Sequence, residues 1–244
     1  MVGPWRAVVF DLDDTLYPER DYVLSGFQAV AAWAEAELGI PSEQGFTELK
    51  QLFDLGVRGN TFDHWLEEHS LPADDGLTPQ LVRVYRAHEP VLTPFPEAPG
   101  VLASLRDNYR LGLVSDGYLA VQRRKLSALG LAPYFDAVVF SDRWGREVWK
   151  PSPTPFEAVL DRLAVEAPRS IYVGDNPLKD FLGARRAGMY TVWVRRPGAE
   201  YAHLEPPTSH HAPHCTLASL ASLAGVLGAG DLNAHITPIL HLDL

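Results

Sequence analysis

The sequence predicts an α/β protein with a doubly wound, mostly parallel sheet and a small all-helical cap inserted after the first strand. Two observations support this fold. Five short apolar runs alternate with helical segments across the chain, and this alternation requires crossover connections between parallel strands. The stretch 20–89, which follows the first run, instead carries helical periodicity with no comparable strand signal.

The first predicted strand covers residues 6–11 and is continuously apolar between its ends, as is typical of a strand covered on both faces. Three turn sequences, at 39–42, 56–60 and 72–76, divide the next stretch into four predicted helices. A proline-rich connection at 93–100 then returns the chain to alternation. The predicted domains are therefore a core of residues 1–17 and 94–244 and a helical cap of residues 18–93.

The later elements are predicted as helix 101–108, strand 111–115, helix 119–129, strand 137–141, helix 156–165, strand 170–174, helix 181–187 and strand 191–194. A loop rich in proline and histidine should then lead to a last short strand, and a helix is predicted over 217–227. Ligands of doubly wound sheets bind beyond the carboxyl ends of the strands. Three polar clusters follow strand ends and should meet there: 11–15, 115–117 and 175–180.

The net charge, the cysteine count and the length of the apolar runs limit the classes of function that the chain can have. The formal net charge is −10, which argues against nucleic-acid binding and favours a divalent cation if the substrate is phosphorylated. Cys215 is the only cysteine, so a reducing compartment is expected, and we predict a cytoplasmic protein. No apolar run is long enough to span a membrane.

The residues at the strand ends suggest metal-assisted chemistry. Asp11 and Asp13 place two carboxyl groups close together, one suited to nucleophilic attack or metal ligation and the other to proton transfer. Acids in such places also form caps and turns. A second acidic strand end, at Asp175 and Asp180, makes a hard-oxygen site suited to Mg²⁺.

Four motifs in order resemble those of the haloacid dehalogenase superfamily, in its phosphatase branch. They are Asp11-Leu-Asp-Asp-Thr15, Val114-Ser-Asp-Gly117, Lys150-Pro151, and Gly174-Asp175 with Asp180. The resemblance spans residues 8–194, and the helical stretch occupies the position of a cap inserted after the first motif. It implies an Mg²⁺-dependent phosphatase acting on a small phosphate ester.

The resemblance also implies residue roles. Asp11 would be the nucleophile, and Asp13 would protonate the leaving oxygen and later accept a proton from water. Lys150 would bind and stabilise the phosphoryl group, with further phosphoryl contacts from Thr15, Ser115, Asp116 and Gly117. Mg²⁺ would be held by Asp11, Asp175 and the backbone carbonyl of Asp13, with support from Asn176 and Asp180.

Several alternatives remain open. Branches that displace halide lack an acid at the position of Asp13, so Asp13 favours cleavage of a phosphate ester. A Schiff-base branch would need a cap lysine, and Lys50, the only one, shows no sign of special placement. A phosphoacceptor switch or a non-hydrolytic binding module could share the fold. In the cap, Arg58, Asn60 and His64 are predicted as ordinary surface or interhelical residues, and Trp33, Phe46 and Phe53 as cap core.

A zinc site is also conceivable in the loop 203–215, but the ligand spacing fits no familiar pattern and a plain loop is predicted. Its candidate ligands are His203, His210, His211, His214 and Cys215. The chain is expected to be a monomer or homodimer. The sequence leaves the substrate open among sugar phosphates, nucleoside monophosphates and phosphoglycolate-like esters.

Overall fold

The structure, a computed structural model, describes residues 5–71 and 76–228. Six parallel strands form one sheet in the order β3-β2-β1-β4-β5-β6. The strands are β1 (Ala7–Phe10), β2 (Arg110–Ser115), β3 (Ala137–Phe140), β4 (Ser170–Gly174), β5 (Tyr190–Val194) and β6 (Cys215–Leu217). Because β1 lies between β2 and β4, the two acidic strand ends are neighbours at one edge of the sheet.

Helices cover both faces of this sheet. They are α5 (Ala98–Arg106), α6 (Leu119–Ala128), α7 (Thr154–Leu163), α8 (Asp180–Arg186) and α9 (Leu223–Gly228). Side chains of β1 alternate between the faces: Val8 and Phe10 join the cluster that includes α5, α6 and α9, whereas Ala7 and Val9 join the cluster of α7 and α8. The sheet is buried on both sides, and the predicted doubly wound α/β fold is confirmed.

Between β1 and α5 the described chain forms four helices: α1 (Glu19–Leu38), α2 (Ser42–Asp54), α3 (Thr61–Glu68) and α4 (Leu77–Ala87). They have an apolar cluster of their own, in which Trp65, Leu49 and Leu81 are fully buried. The segment leaves and rejoins the core at one point, where the Phe95 amide donates a hydrogen bond to the Leu16 carbonyl at 2.9 Å. The domain boundaries 18–93 stay a prediction.

The predicted helix 217–227 is wrong in its first half. Leu217 ends β6, which pairs with β5 through Val192 and Cys215. The free edge of β5 offers unpaired backbone groups, and a strand satisfies them where a helix would not. Ser219 then accepts a hydrogen bond from the Ala221 amide at 3.2 Å, and the α-helix begins only at Leu223.

One sequence prediction falls largely outside the described ranges: of the turn at 72–76, only the last residue is described. Within the described ranges no helix combines the length and apolarity needed to cross a bilayer.

Candidate active site

The site begins where β1 and β4 end. Asp11 follows β1 directly, and its amide donates a hydrogen bond to the Val173 carbonyl at 2.9 Å, so the pairing of the two strands continues to the acid. Asp175 follows β4 in the same way. Carboxylate oxygens of Asp11, Asp175 and Asp180 lie within 4.8 Å of one another, and all three side chains are buried.

Lys150 holds this acidic cluster together. Its ammonium donates to Asp11 Oδ1 at 2.7 Å and to Asp180 Oδ1 at 2.7 Å. It also donates to the Tyr172 hydroxyl at 3.1 Å, and that hydroxyl donates to Asp180 Oδ1 at 3.1 Å. The Lys150 side chain is 0% exposed. A buried ammonium is tolerated only with such partners, so these contacts fix its position.

Both carboxylate oxygens of Asp180 accept hydrogen bonds from the surrounding chain. While Lys150 and Tyr172 bind Oδ1, the amides of Asp175 and Asn176 donate to Oδ2 at 3.1 and 2.8 Å. Gly174 makes this approach possible, because a Cβ there would lie 2.6 Å from Asp180 Oδ2. The carboxylate of Asp180 therefore orients both Lys150 and the turn that carries Asp175.

Two acids of this cluster, Asp11 and Asp175, are poorly compensated. Burial would raise the pKa of Asp180 as well, but Lys150 and Lys179 hold that pKa below its usual range. Burial raises the pKa of Asp11 to about 7; Lys150 opposes the rise and the charge of Asp180 adds to it. Burial, together with the charges of Asp180 and Asp11, raises the pKa of Asp175 well above its usual range. Three buried carboxyl groups thus share one fully buried lysine, and additional positive charge would stabilise their ionised forms.

The donor set fits Mg²⁺. Thr15 Oγ1 donates to Asp175 Oδ1 at 3.2 Å, and the indole of Trp193 donates to the Asp175 backbone carbonyl at 2.7 Å. Among the described residues nothing donates to the buried Asp175 Oδ2. A buried carboxylate oxygen without a donor is costly unless a cation binds it, and Mg²⁺ takes one or two carboxylates together with water and phosphate oxygens.

Asp13 lies in a different environment. Its Oδ1 accepts from Lys125 Nζ at 2.7 Å and from the Tyr17 hydroxyl, and its Oδ2 accepts from Gln122 Nε2 at 2.8 Å. Burial alone would raise its pKa, but the charge and hydrogen bond of Lys125, with the bonds from Tyr17 and Gln122, hold the pKa below its usual range. The Asp13 carboxylate is therefore engaged away from the acidic cluster around Lys150.

The motif at the end of β2 supports both groups. Ser115 is fully buried, and its hydroxyl accepts from Gln122 Nε2 at 2.6 Å. The Asp116 carboxylate accepts from Ser141 Oγ at 2.5 Å and from the Lys150 backbone amide at 3.1 Å, so its side chain fixes the loop that carries the lysine. Gly117 has a φ of +114°, which a side chain would strain.

Three residues in or beside the motifs have side-chain contacts that the motifs did not indicate. Thr15 directs its hydroxyl to Asp175. Asn176 Oδ1 accepts from the Leu178 amide at 2.9 Å, which shapes the turn before α8. Asp14 Oδ1 accepts from the Glu19 amide at 2.9 Å, which ties the turn after β1 to the first residue of α1.

Sequence reasoning missed the residues that reach the site from other elements: Gln122, Lys125, Ser141, Tyr172 and Trp193. A signal existed for two of them. Gln122 and Lys125 are polar but alternate with Val121 and Leu126 on the buried face of α6, and polar residues on such a face need buried partners. Tyr172 lies inside an apolar strand and carried no comparable signal.

A cavity of about 670 Å³ lies beside the site. Asp14 lines it, together with α1, the end of α2 and the loop after β5. Phe53, predicted as cap core, also forms part of this wall, with the guanidinium of Arg58 3.7 Å from its ring centroid. Arg58 Nη2 lies 3.7 Å from Glu200 Oε1 across the cavity mouth. Asn60 and His64 do not line it and instead contact each other at 2.9 Å.

The histidine-rich loop forms no metal cluster in the part of the chain described. The only group of three His, Cys, Asp or Glu side chains there with converging ligand atoms is Asp11, Asp175 and Asp180. His214 stacks on Tyr190 with ring centroids 4.6 Å apart and accepts from the Thr191 amide at 3.0 Å. Its role in the structure is to hold the loop against β5.

Known proteins match almost the whole chain. Glyceraldehyde 3-phosphate phosphatase from Methanopyrus kandleri is 34% identical over 85% of this chain and 91% of its own length. The solved structure of a HAD phosphatase from Thermococcus onnurineus is 28% identical with a TM-score of 0.59, covering 91% and 98% of the two chains. A 2-haloacid dehalogenase structure from Pseudomonas syringae pv. Tomato is 27% identical with a TM-score of 0.63 and the same coverage.

The model of one family covers the motifs described above. It is that of haloacid dehalogenase-like hydrolases, and it matches residues 8–194. This range begins in β1 and ends with β5, and so contains the acidic cluster, Lys150 and the Asp13 network. The resemblance in the motifs is thereby confirmed: the chain belongs to the haloacid dehalogenase-like hydrolases.

Proposed function

We propose that the chain is an Mg²⁺-dependent phosphomonoester hydrolase that acts through an aspartyl-phosphate on a small phosphorylated metabolite. Its enzyme class, a hydrolase of the phosphatase type, follows from the family and the named relatives. The observation that supports the proposal most is the pair of carboxyl groups at the end of β1, Asp11 and Asp13, which bind two different buried lysines. One nucleophile and one separate proton carrier are what two-step phosphoryl transfer requires.

In the first step the Asp11 carboxylate attacks phosphorus. The bond between phosphorus and the ester oxygen breaks, and its electron pair leaves with that oxygen. Asp13, in its protonated form, donates a proton to the oxygen, so an alcohol departs rather than an alkoxide. Asp11 now carries the phosphoryl group as a mixed anhydride.

In the second step water attacks the phosphorus of the aspartyl-phosphate. Asp13, now ionised, takes a proton from the water, and the Asp11–phosphorus bond breaks. Inorganic phosphate is released, Asp11 is regenerated as a carboxylate and Asp13 is again protonated. One residue thus serves first as acid and then as base.

Lys150 and Ser115 are the proposed phosphoryl ligands, assisted by the backbone at Thr15, Asp116 and Gly117. The Lys150 ammonium already touches the nucleophile, so it lies where transition-state charge develops. Asp11, Asp175 and the Asp13 backbone carbonyl would hold Mg²⁺, with Asn176 and Asp180 as supports. When bound, Mg²⁺ supplies positive charge that lowers repulsion between the nucleophile and the phosphate.

Asp13 also favours ester hydrolysis over dehalogenation, although one similar structure is a haloacid dehalogenase. A halide departs as a stable anion and needs no proton. An alkoxide does need one, and Asp13 is a partly buried carboxyl group with three donors directed at its oxygens. A dehalogenase would have no use for such an arrangement.

We further propose that α1–α4 act as a cap and that the cavity beside Asp14 takes the leaving group. Its volume of about 670 Å³ suits a small metabolite. Its wall combines the ring of Phe53 with charged groups of both signs, among them Arg58 and Glu200. Sugar phosphates, nucleoside monophosphates and phosphoglycolate-like esters are the candidate substrates, and glyceraldehyde 3-phosphate joins them because a relative carries that name.

A metabolite panel with Mg²⁺ tests the proposal, with phosphate release ranked by kcat/KM. We expect repeated turnover on at least one phosphate ester, loss of activity in EDTA and loss in Asp11→Asn. Phosphorylation that stops after one equivalent would indicate a phosphoacceptor switch instead. Binding without any phosphate release would indicate a non-hydrolytic module, and activity that survives in Asp11→Asn would refute the aspartyl-phosphate.

A further inference from the structure

Two buried polar residues of α6 make contacts that the proposed chemistry does not yet use. The Gln122 side-chain amide donates both to Asp13 Oδ2 at 2.8 Å and to Ser115 Oγ at 2.6 Å. One NH₂ group has two hydrogens, so both bonds form at once. Gln122 therefore fixes the separation between the proposed proton carrier and the proposed phosphoryl ligand.

Lys125 lies one helical turn further along and reaches the other oxygen of the same carboxylate. Its ammonium is 2.7 Å from Asp13 Oδ1 and 3.4 Å from Glu19 Oε1, at the first residue of α1. It also lies 4.3 Å from the centroid of the Tyr22 ring. Lys125 thus joins Asp13 of the core to the start of the helical segment.

Packing alone does not explain these two residues. Gln122 is 1% exposed and Lys125 3% exposed, on a helix face otherwise occupied by Val121 and Leu126. Burying an ammonium and an amide costs free energy that an apolar residue of similar size would not. The neighbouring backbone is shaped to accommodate one of them, because a Cβ on Gly117 would lie 3.1 Å from Gln122 Cδ.

We propose that Gln122 and Lys125 are positioning residues that hold the Asp13 carboxyl group beside Ser115, in register with the leaving-group oxygen of the substrate. The inference rests on the proposed phosphatase function. Without these donors only the Tyr17 hydroxyl binds the Asp13 carboxylate, so the carboxylate is held less firmly. Displacement of a proton donor by about 1 Å can cost about 100-fold in rate. Gln122 acts on Asp13 and Ser115, and Lys125 acts on Asp13 and Glu19.

The test compares two substrates that differ in their need for a proton. An alkyl phosphate must have its leaving oxygen protonated, whereas p-nitrophenyl phosphate releases a stabilised phenolate. For Lys125→Met and Gln122→Met we expect kcat/KM to fall about 10- to 100-fold on the alkyl ester and less than about 3-fold on the aryl ester. The ratio kcat/KM reports the phosphorylation step, so slow hydrolysis of the phosphoenzyme does not obscure the comparison.

Arg123→Met is the matched control, since Arg123 lies on the same helix but is exposed. It should leave both rates unchanged. Lys125→Arg keeps the charge and should recover part of the rate on the alkyl ester. Melting curves show which variants fold. If Lys125→Met does not fold, Gln122→Met and Lys125→Arg still test the positioning role.

Equal losses on the two esters, or no loss on either, would overturn the positioning role while the phosphatase function stands. If the wild-type protein is inactive on every phosphate ester, including p-nitrophenyl phosphate, the proposed phosphatase function is refuted and this inference with it. A loss confined to the alkyl ester supports the inference, because general destabilisation of the fold would reduce both activities together.

Discussion

Asp11 and Asp13 are two residues apart at the end of one strand, yet their surroundings differ in almost every respect. Asp11 shares Lys150 with Asp180, and its pKa is raised to about 7 by burial against the partial compensation of that lysine. Burial would also raise the pKa of Asp13, but Lys125 and two neutral donors outweigh this effect and hold the pKa below its usual range. Asp11 shares its lysine with another acid, whereas all the donors around Asp13 bind its two oxygens directly.

The difference shows how a single strand end can supply two chemical roles. An acidic cluster with too little positive charge attracts a metal ion, and binding of the metal would favour the ionised form of Asp11, the proposed nucleophile. A carboxylate with donors on both oxygens is held in one position, which suits a group that has to meet the leaving-group oxygen. The following predictions change one side of this comparison at a time.

The largest effect is expected from Asp11→Asn. An amide cannot attack phosphorus, so kcat should fall about 10⁴-fold or more, and no acid-stable radiolabelled phosphate should remain on the protein after quenching. Rapid-quench labelling with a ³²P-ester measures this directly. Labelling of Asp11→Asn at the wild-type level would place the nucleophile elsewhere.

Asp13→Asn should cost less and should depend on the leaving group. On an alkyl phosphate we expect kcat/KM to fall about 10²- to 10⁴-fold, the usual contribution of general acid catalysis. On p-nitrophenyl phosphate the fall should be much smaller, and the labelled phosphoenzyme should accumulate because its hydrolysis lacks the base. A variant that loses both substrates equally would contradict the assigned proton transfer.

The pH dependence of stability should separate the two acids in metal-free protein. The native pKa of Asp11 exceeds its unfolded value, so native protein binds more protons and stability falls as pH rises from about 4 through about 7. A difference of one pH unit between the native and unfolded pKa changes the free energy of unfolding by roughly 1.4 kcal/mol. We expect Tm in EDTA to fall between about pH 5 and about pH 8, less so in Asp11→Asn, and Mg²⁺ to offset the fall at the higher pH.

Asp13 should behave oppositely in the same experiment. Its native pKa lies below the unfolded value, so its contribution to stability is complete above about pH 4 and is lost only as the pH falls further. The Tm difference between wild type and Asp13→Asn should therefore be the same at about pH 5 and about pH 8. A difference that grows with pH across this range would contradict the assigned environment.

The smallest effect concerns the acidic cluster alone. Thr15→Val removes the hydrogen bond to Asp175 Oδ1 with little change of shape, and such a bond contributes about 0.5–1.5 kcal/mol. The Mg²⁺ concentration for half-maximal activity should rise about 3- to 10-fold, with kcat at saturating Mg²⁺ nearly unchanged. Thr47→Val on the exposed face of α2 is the control and should alter neither value.

The sequence could predict the strand ends because their pattern is local: an apolar run followed by acids marks both Asp11 and Asp175. It could not predict which side chains from other elements bind each acid or the lysine beside it. Tyr172 reaches Lys150 from the interior of β4, and Lys125 reaches Asp13 from a helix more than 100 residues away along the chain. Such meetings depend on strand order and helix rotation, which no local pattern specifies. The same limit explains Leu217, where a free sheet edge outweighed helical periodicity.

The hydrogen bond between the Phe95 amide and the Leu16 carbonyl has a consequence for chain entropy. It brings the two ends of the helical segment together, so the segment forms a closed loop that starts and ends at the same place on the core. The entropic cost of closing a loop grows only logarithmically with its length, by about 0.6 kcal/mol for each doubling. The segment could therefore gain or lose whole helices, and with them the proposed contacts to the leaving group, while the strand that carries both aspartates keeps its place in the sheet.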